Sequence, residues 1–267
     1  MNDTGGHSLH EMASNIGENA PLISLKVFFS GLSFLVFGLV SLLFSLTIFP
    51  LFYVLPIGAQ RRKRWSRAVL NAVFPACIGF MELCGLIKLN WQGRENLQAG
   101  GKLIVANHPS LLDVVYLMAV VRNANCLVKP SLFYNPFTAG TVRAAGYIRN
   151  NSETLMQECA ASLAAGDTLI VFPEGTRTDP AKPFRFLRGA ANIALEASSD
   201  LCPVTIRCQP ARLMKHQAWY EMSKSTLQVT LEEHPFFSVA SYLESGLPRS
   251  RVSRQLTRDL ETFFASQ

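Results

Sequence analysis

The segment Asn107-His108-Pro109-Ser110-Leu111-Leu112-Asp113 places a carboxylate five residues after a histidine. It lies where a strand is predicted to end and a helix to begin, and sheets of α/β proteins usually carry their sites at such junctions. There His108 can take a proton from a substrate hydroxyl, while Asp113 holds the other ring nitrogen. An alternative stays open, because Ser110 followed by Asp113 is also a capping box, in which the carboxylate only reaches back to the backbone at the helix start.

Two further segments place an arginine after a predicted strand. In Val171-Phe172-Pro173-Glu174-Gly175-Thr176-Arg177, the Pro and Gly turn presents backbone amides, and Arg177 supplies a planar fork suited to phosphate or carboxylate. This pattern predicts an anion-binding turn, unless Glu174 and Arg177 simply pair with each other at the surface. In Gly146-Tyr147-Ile148-Arg149, Arg149 either binds an anion or is a solvated charge at a strand end.

Several other chemistries have no signature in the sequence. There is no G-x-S-x-G nucleophile elbow, no Gly-rich phosphate loop and no set of His, Cys and carboxylates with metal spacing. The spacing of His7 and His10 suits a metal ion only weakly, since both lie in a Gly, Ser and Asn-rich tail that we predict to be disordered. We therefore expect no metal and no cofactor, and direct attack by a substrate hydroxyl is the most economical mechanism.

From residue 101 onward, strand and helix patterns alternate. Short apolar runs indicate strands at 103–106, 126–128, 147–148, 168–172, 204–208 and 227–231. Helical patterns cover 111–121, 153–165, 189–198 and 251–264. Asn150 with Glu153 resembles a capping box at the start of the second helix, and Gly166 is a suitable stop for it. The alternation predicts an α/β fold, with a mixed, largely parallel sheet flanked by helices.

An uncharged, strongly apolar segment precedes this region. No residue between Lys26 and Arg61 is charged, and the run from 27 to 55 is long enough to span a bilayer. The tail before it is acidic instead of basic, so it does not resemble a cleaved signal sequence. Pro50 and Pro56 could break the helix, which leaves a shallow hairpin open as an alternative to a single span.

These patterns predict three regions. They are a disordered tail at 1–25, a membrane-anchoring helical segment at 26–90, and a domain carrying the candidate site at 91–267. Within the second region, the stretch 68–89 is either an interfacial helix or packs on the soluble domain. The basic cluster at 61–64 follows the apolar run, so the positive-inside rule places the site domain in the cytoplasm, at the inner membrane if the cell is bacterial.

The net charge and the cysteine content indicate which partners the protein binds and in which compartment it lies. The net charge is +6, and the one basic cluster adjoins the apolar run, so an anionic membrane surface explains it better than nucleic acid. A nucleic-acid groove would interleave aromatics with basic residues, and we expect no such partner. The six cysteines form no C-x-x-C pair and lie among apolar neighbours, which predicts reduced structural thiols in the cytoplasm.

Taken together and in this order, the segments resemble the glycerol-phosphate and lysophospholipid acyltransferase family. Its blocks stand here as NHPSLLD (107–113), GYIR (146–149), FPEGTR (172–177) and LCPV (201–204), and the resemblance covers 101–208. One block departs from the family pattern, because Asp200 stands where the first proline is usual and only Pro203 remains. This departure puts the identity of the acceptor in doubt more than the chemistry.

The resemblance implies a membrane-bound O-acyltransferase. It would transfer a fatty acyl group from acyl-CoA or acyl carrier protein to a lysophospholipid hydroxyl, with 1-acyl-glycerol-3-phosphate as the expected acceptor and phosphatidic acid as the product. It further implies that His108 is the base and Asp113 its partner, and that the acceptor head group is bound by Arg149, Glu174, Gly175, Thr176 and Arg177. Two alternatives remain: the same fold acting on a specialised acceptor, such as a lyso-ornithine lipid or a pigment or polyketide lipid, and a non-catalytic lipid-binding protein.

Overall fold

The computed structural model describes residues 6–93, 97, 101–179 and 181–267, with side chains from residue 21 onward. Its strands are β1 (Ile87–Gln92), β2 (Leu103–Ala106), β3 (Ala124–Val128), β4 (Ile148–Arg149), β5 (Thr168–Val171), β6 (Leu201–Gln209) and β7 (Leu227–Glu233). They form one sheet in the order β1-β7-β6-β2-β5-β3-β4, in which only β6 and β7 are antiparallel neighbours. The predicted mixed, largely parallel sheet is confirmed.

Helices cover both faces of this sheet. They are α1 (Gly6–Leu46), α2 (Ile48–Val54), α3 (Ala59–Leu83), α4 (Asp113–Val120), α5 (Ala139–Ala144), α6 (Leu155–Ala164), α7 (Gly189–Ala197), α8 (Ala240–Leu243) and α9 (Arg249–Ser266). The sheet has one hydrophobic core on each face, and the side chains of β2 point alternately into the two. Ile104 and Ala106 pack with α3 and α4, while Leu103 and Val105 pack with α6, α7 and α9. All four of these side chains are fully buried, which explains why the strand has no polar position.

Two local predictions need correction. The strand β1 was not predicted, because its apolar residues were assigned to the helical stretch that precedes it; it begins inside the predicted anchoring segment and pairs with β7. The capping box of Asn150 and Glu153 is also wrong. The helix α6 begins at Leu155, and Glu158 instead accepts hydrogen bonds from two upstream hydroxyls. Gly166 does stop this helix, with a φ of +80° that glycine adopts without strain.

The first helix, α1, includes most of the segment that was predicted to be a disordered tail. It begins at Gly6, so residues 6–25 continue the apolar helix instead of forming a disordered segment, and residues 1–5 lie outside the described part. Extending an existing helix is easier than starting a new one, which is why composition alone misjudged this stretch. The side chains of His7 and His10 lie outside those described.

One side of α1 contacts later parts of the chain through polar atoms. Lys26 Nζ donates to the carbonyl of Lys224 at 2.7 Å, and Ser30 Oγ to that of Trp219 at 3.3 Å. Further along, Ser41 Oγ lies 2.7 Å from the hydroxyl of Thr141. The other side is apolar and at least half exposed, at Leu25, Phe28, Leu35, Leu39 and Leu43. A polar stripe inside an apolar helix therefore docks α1 on the domain.

By length and composition alone, two segments are able to cross a membrane: Pro21–Val54 and Ala59–Leu83. In the apolar 18-residue stretch of the first segment 11% of the residues are buried, compared with 33% in that of the second. The second is α3, whose Leu70, Phe74 and Ile78 enter the core beside α4. Of the two alternatives for the stretch 68–89, the structure thus shows packing on the soluble domain along one face of α3.

A buried ion pair reinforces this contact. Arg67 of α3 lies 2.8 Å from Asp167, which precedes β5, and both side chains are almost fully buried. The Asp167 carboxylate also accepts hydrogen bonds from Asn123 and Ser162, both at 2.8 Å, and Arg67 Nε donates to the carbonyl of Ala145 at 2.8 Å. Every charge in this cluster has several partners, as a buried ion pair requires.

Candidate active site

The candidate site lies at the carboxyl ends of parallel strands. The segment 107–113 follows β2, the segment 172–177 follows the neighbouring β5, and Arg149 ends β4. Because these strands are parallel, their carboxyl ends meet at one edge of the sheet, where α/β folds place ligands. Asn107 fixes the first segment to this edge, since its side chain exchanges hydrogen bonds of 2.8 and 2.7 Å with the backbone of Ile206 in β6.

His108 and Asp113 are in direct contact. His108 Nδ1 lies 2.8 Å from Asp113 Oδ2. The same carboxylate reaches back to the helix start, where Oδ2 accepts the backbone N–H of Ser110 at 2.7 Å and Oδ1 accepts the Ser110 hydroxyl. The two interpretations that the sequence left open are therefore both present, because a single carboxylate serves the histidine and the helix start at once.

The electrostatic setting decides how the histidine is protonated. Asp113 is fully buried, and burial raises the pKa of its carboxyl, although hydrogen bonds and charge from His108 and hydrogen bonds from Ser110 oppose that shift. When Asp113 is ionised, its carboxylate accepts from both Ser110 donors and from a proton on His108 Nδ1. The neutral ring then has its lone pair on Nε2, which makes Nε2 the basic atom.

The ring of His108 is fixed in orientation but remains accessible. It stacks on Phe172, with 4.4 Å between ring centroids and an interplanar angle of 26°. The side chain is 22% exposed, whereas Asp113 behind it has no exposed surface. A substrate can thus approach the ring from one side while the carboxylate stays shielded from water.

Glu174 and Thr178 hold the backbone of His108. The His108 N–H donates to Glu174 Oε1 and to Thr178 Oγ1, each at 3.1 Å, and the Thr178 N–H donates to the His108 carbonyl at 2.7 Å. Burial raises the pKa of Glu174, against the hydrogen bonds from Thr178 and His108. The alternative in which Glu174 pairs with Arg177 is not seen, since no ion pair joins these two described residues.

Gly175 and Thr176 form the exposed tip of the turn. Gly175 has a φ of +66°, a conformation that strains any other L-residue, and a Cβ there would lie 2.8 Å from Leu187 Cδ1. The Leu187 N–H donates to the carbonyl of Pro173 at 2.7 Å, so the following segment closes against the turn. The side chain of Thr176 is exposed to solvent. The turn is therefore exposed at its tip and closed on one side by Leu187.

Arg177 is tied to a segment that sequence reasoning missed. Its Nη1 donates to the carbonyls of Leu213 and Met214, at 2.9 and 2.8 Å. The Leu213 carbonyl also accepts the N–H of Leu111, at 3.1 Å, and so joins the segments 107–113 and 172–177 of the site. Since the acceptor is a main-chain atom, no residue type marks it, although the connection between β6 and β7 is long enough to reach the site.

Arg149 lies apart from this group. Two strands, β5 and β3, separate β4 from β2, which corresponds to about 14 Å of strand spacing. Its guanidinium lies over the rings of Phe133 and Tyr134, 4.4 and 5.9 Å from their centroids, and the residue is exposed. The structure brings His108, Asp113, Glu174, Gly175, Thr176 and Arg177 together, and leaves Arg149 further along the same edge.

No cluster of His, Cys, Asp and Glu suited to a metal ion is found among the described residues. The six cysteines are all free thiols. Burial raises the pKa of Cys126, Cys159, Cys202 and Cys208 to about 12, so these thiols are poor nucleophiles. The reactive group that the geometry offers is the histidine.

Comparison with known proteins agrees with this geometry. A family model described as "Acyltransferase" matches residues 88–207, which contain His108, Asp113, Arg149 and the turn 174–177. A 1-acyl-sn-glycerol-3-phosphate acyltransferase from Helicobacter pylori is 30% identical over 178 residues, covering 63% of this chain and 73% of the relative. The chain belongs to this acyltransferase family.

The share of the relative's length that this chain covers differs from one relative to the next. A 1-acyl-sn-glycerol-3-phosphate acyltransferase from Chlamydomonas reinhardtii is 29% identical over 177 residues; these are 62% of this chain, which spans about half (52%) of that relative. The crystal structure of the 1-acyl-sn-glycerophosphate acyltransferase PlsC from Thermotoga maritima matches with a TM-score of 0.61 at 20% identity, covering 93% of this chain and 98% of the other. That match supports the fold.

Proposed function

We propose that this protein transfers a fatty acyl group from an acyl thioester to the free hydroxyl of 1-acyl-glycerol-3-phosphate, giving phosphatidic acid. The observation that carries the proposal is the 2.8 Å contact between His108 Nδ1 and Asp113 Oδ2 at the strand edge, which leaves Nε2 as the basic nitrogen of a partly exposed side chain. The relatives whose names specify this acceptor support the choice of substrate.

In the proposed mechanism, His108 Nε2 removes the proton of the acceptor hydroxyl as its oxygen attacks the thioester carbonyl. The new C–O bond forms, the C–S bond breaks, and the departing thiolate takes the proton from the imidazolium, which restores the neutral ring. Asp113 stabilises the imidazolium without taking the proton. General-base assistance of this kind is worth roughly 10²–10⁴-fold in rate, and the mechanism calls for neither a metal nor a cofactor.

We further propose that the acceptor phosphate binds at the turn of residues 174–177. Gly175 and Thr176 form the exposed tip of this turn, and Arg177 follows them, held by the carbonyls of Leu213 and Met214. A planar guanidinium with one nitrogen fixed in this way is preorganised for a phosphate. Arg149, further along the edge, would contact a more distant part of a substrate.

For the membrane, we infer attachment through the exposed apolar side of α1, with the site domain in the cytoplasm. The polar stripe between Lys26 and Ser45 faces the domain, so this length of α1 lies along the protein. That arrangement favours the shallow hairpin over a single perpendicular span. The basic cluster at 61–64 would then face anionic head groups at the cytoplasmic surface.

The departure at Asp200 gives no support to a specialised acceptor. Asp200 Oδ1 accepts the backbone N–H of Val239 at 2.9 Å, at the amino end of β6. Because β6 runs parallel to β2, that end lies at the opposite edge of the sheet from His108. The unusual residue therefore has a structural partner far from the reacting atoms.

Acyl transfer in vesicles tests the proposal. Purified protein would be given labelled acyl-CoA or acyl carrier protein together with lysophosphatidic acid or lyso-ornithine lipid, alongside His108→Ala and, as a control, His216→Asn at an exposed histidine. We expect phosphatidic acid from the wild type and the control, and almost none from His108→Ala. Acylation of lyso-ornithine lipid alone would instead identify the enzyme as one with a specialised acceptor.

A further inference from the structure

The outer face of α9 carries a stripe of arginines. Its inner face buries Val252, Leu256 and Leu260, while Arg251, Arg254 and Arg258 recur at i, i+3 and i+7 on the opposite side and are exposed. The stripe spans about 10 Å of helix, from the rise per residue. It is thus a surface larger than a single small anion.

These arginines are not neutralised by the chain itself. No carboxylate in the described part of the chain lies within ion-pair distance of Arg251, Arg254 or Arg258. The two acidic residues of α9 are engaged elsewhere: Asp259 accepts from Tyr242 and Gln255, and Glu261 accepts the backbone N–H of Phe186. The stripe therefore presents uncompensated positive charge.

The membrane does not account for this charge. The helix α9 packs on the sheet face that holds α6 and α7, while α3 and the apolar helices beside it pack on the other face. The exposed apolar side chains of α1 lie on that second side. An anionic bilayer explains the cluster at 61–64, but the arginines of α9 project from the opposite layer of the protein.

The stripe continues toward the candidate site. Glu261 Oε1 accepts the N–H of Phe186 at 2.7 Å, and the next residue, Leu187, is hydrogen-bonded to Pro173 and lies against Gly175. Two further exposed arginines flank this segment. We call the whole set the α9 basic surface, and it consists of Arg185, Arg188, Arg251, Arg254 and Arg258.

We propose that the α9 basic surface docks an acidic acyl carrier protein and so delivers the acyl thioester to His108. This inference rests on the proposed function and names the macromolecular donor for it. Complementary charge raises the rate of encounter and orients the partner, and its effect weakens as salt is added. An acidic protein complements the five exposed arginines of this surface, and a comparison with acyl-CoA tests whether the surface serves the protein-bound donor.

The test is Arg254→Glu/Arg258→Glu, compared with Lys88→Glu/Arg122→Glu, which makes the same charge change at exposed sites away from α9. For Arg254→Glu/Arg258→Glu, we expect kcat/KM with acyl carrier protein to fall roughly tenfold or more at low salt, and the difference to shrink at high salt. With acyl-CoA we expect a change within about twofold. The control should match the wild type with both donors.

Two further measurements separate the alternatives. Binding of fluorescent acyl carrier protein, followed by anisotropy without turnover, should weaken roughly tenfold in the same variant, whether or not the wild type acylates lysophosphatidic acid. Equal losses with both donors, together with weaker binding to anionic vesicles, would show that the surface contacts lipid and would overturn the proposal. Unchanged binding and unchanged rates would overturn it as well.

Discussion

Ser110 holds both oxygens of the Asp113 carboxylate, with its backbone N–H 2.7 Å from Oδ2 and its hydroxyl on Oδ1. Both residues are fully buried, so no water replaces these donors. Burial by itself favours the neutral acid, and the Ser110 donors counteract that tendency. Ser110 is thereby a positioning residue, which together with His108 favours the ionised carboxylate and keeps it turned toward the ring.

Ser110→Ala should lower kcat while leaving KM for the acceptor nearly unchanged. A hydrogen bond to a charged group contributes about 1.5–3 kcal/mol, so kcat should fall by roughly tenfold to a hundredfold. Steady-state kinetics would be compared with Ser253→Ala, since the buried hydroxyl of Ser253 has no hydrogen-bond partner among the described residues. A wild-type kcat in Ser110→Ala would show that the hydroxyl does not support the carboxylate.

Gly175→Ala should weaken acceptor binding. The left-handed backbone at Gly175 costs about 1–2 kcal/mol for an L-residue, and the new Cβ would press on Leu187. We expect kcat/KM for lysophosphatidic acid to fall roughly tenfold. The matched control is Gly189→Ala, where no atom lies within 4 Å of an added Cβ. Equal kcat/KM in both variants would remove the turn from the binding site.

The buried pair of Arg67 and Asp167 should contribute to the stability of the folded protein more than to catalysis. Removing one partner leaves the other charge buried, which typically costs 3–5 kcal/mol, so Asp167→Asn should unfold at a clearly lower temperature in detergent. The double variant Arg67→Met/Asp167→Leu should recover part of the loss. A double variant less stable than Asp167→Asn would contradict this account.

The same pair predicts how stability depends on pH. Burial alone would raise the pKa of Asp167, but hydrogen bonds and charge from Arg67, with Ser162 and Asn123, hold it below its usual value. Because the pKa of Asp167 is lower in the folded than in the unfolded chain, its ionised carboxylate stabilises the folded state at pH values above the unfolded pKa of about 3.9. This stabilisation is lost as the pH falls through the pKa of the folded state. The melting temperatures of wild type and Asp167→Asn should therefore converge below about pH 4.

The elements that the sequence predicted well are those with an unambiguous pattern. Buried parallel strands such as β2 and β5 are continuous apolar runs, and Gly166 marks a helix end because few other residues adopt its conformation. The strand β1 alternates polar and apolar residues directly after an apolar helix, so its pattern merged with that helix. Packing against β7, which no local pattern reports, decides its structure.

The site shows the same division. The contact of His108 with Asp113 was predicted, because both side chains have chemistry suited to a base and its partner. The carbonyl of Leu213, which joins Leu111 to Arg177, was missed because main-chain atoms carry no residue identity. The position of Arg149 apart from the others also follows from strand order, which the sequence does not reveal.

The most direct measurement of the central claim is single-turnover acyl transfer by His108→Ala and Asp113→Asn, at matched amounts of folded protein. Without the base, the rate of the chemical step should fall by about 10²–10⁴-fold. Asp113→Asn should show a comparable loss, because an amide can donate to Nδ1 and so favours the tautomer with its proton on Nε2. A His108→Ala variant with the wild-type rate would contradict the proposed role of His108 as the general base.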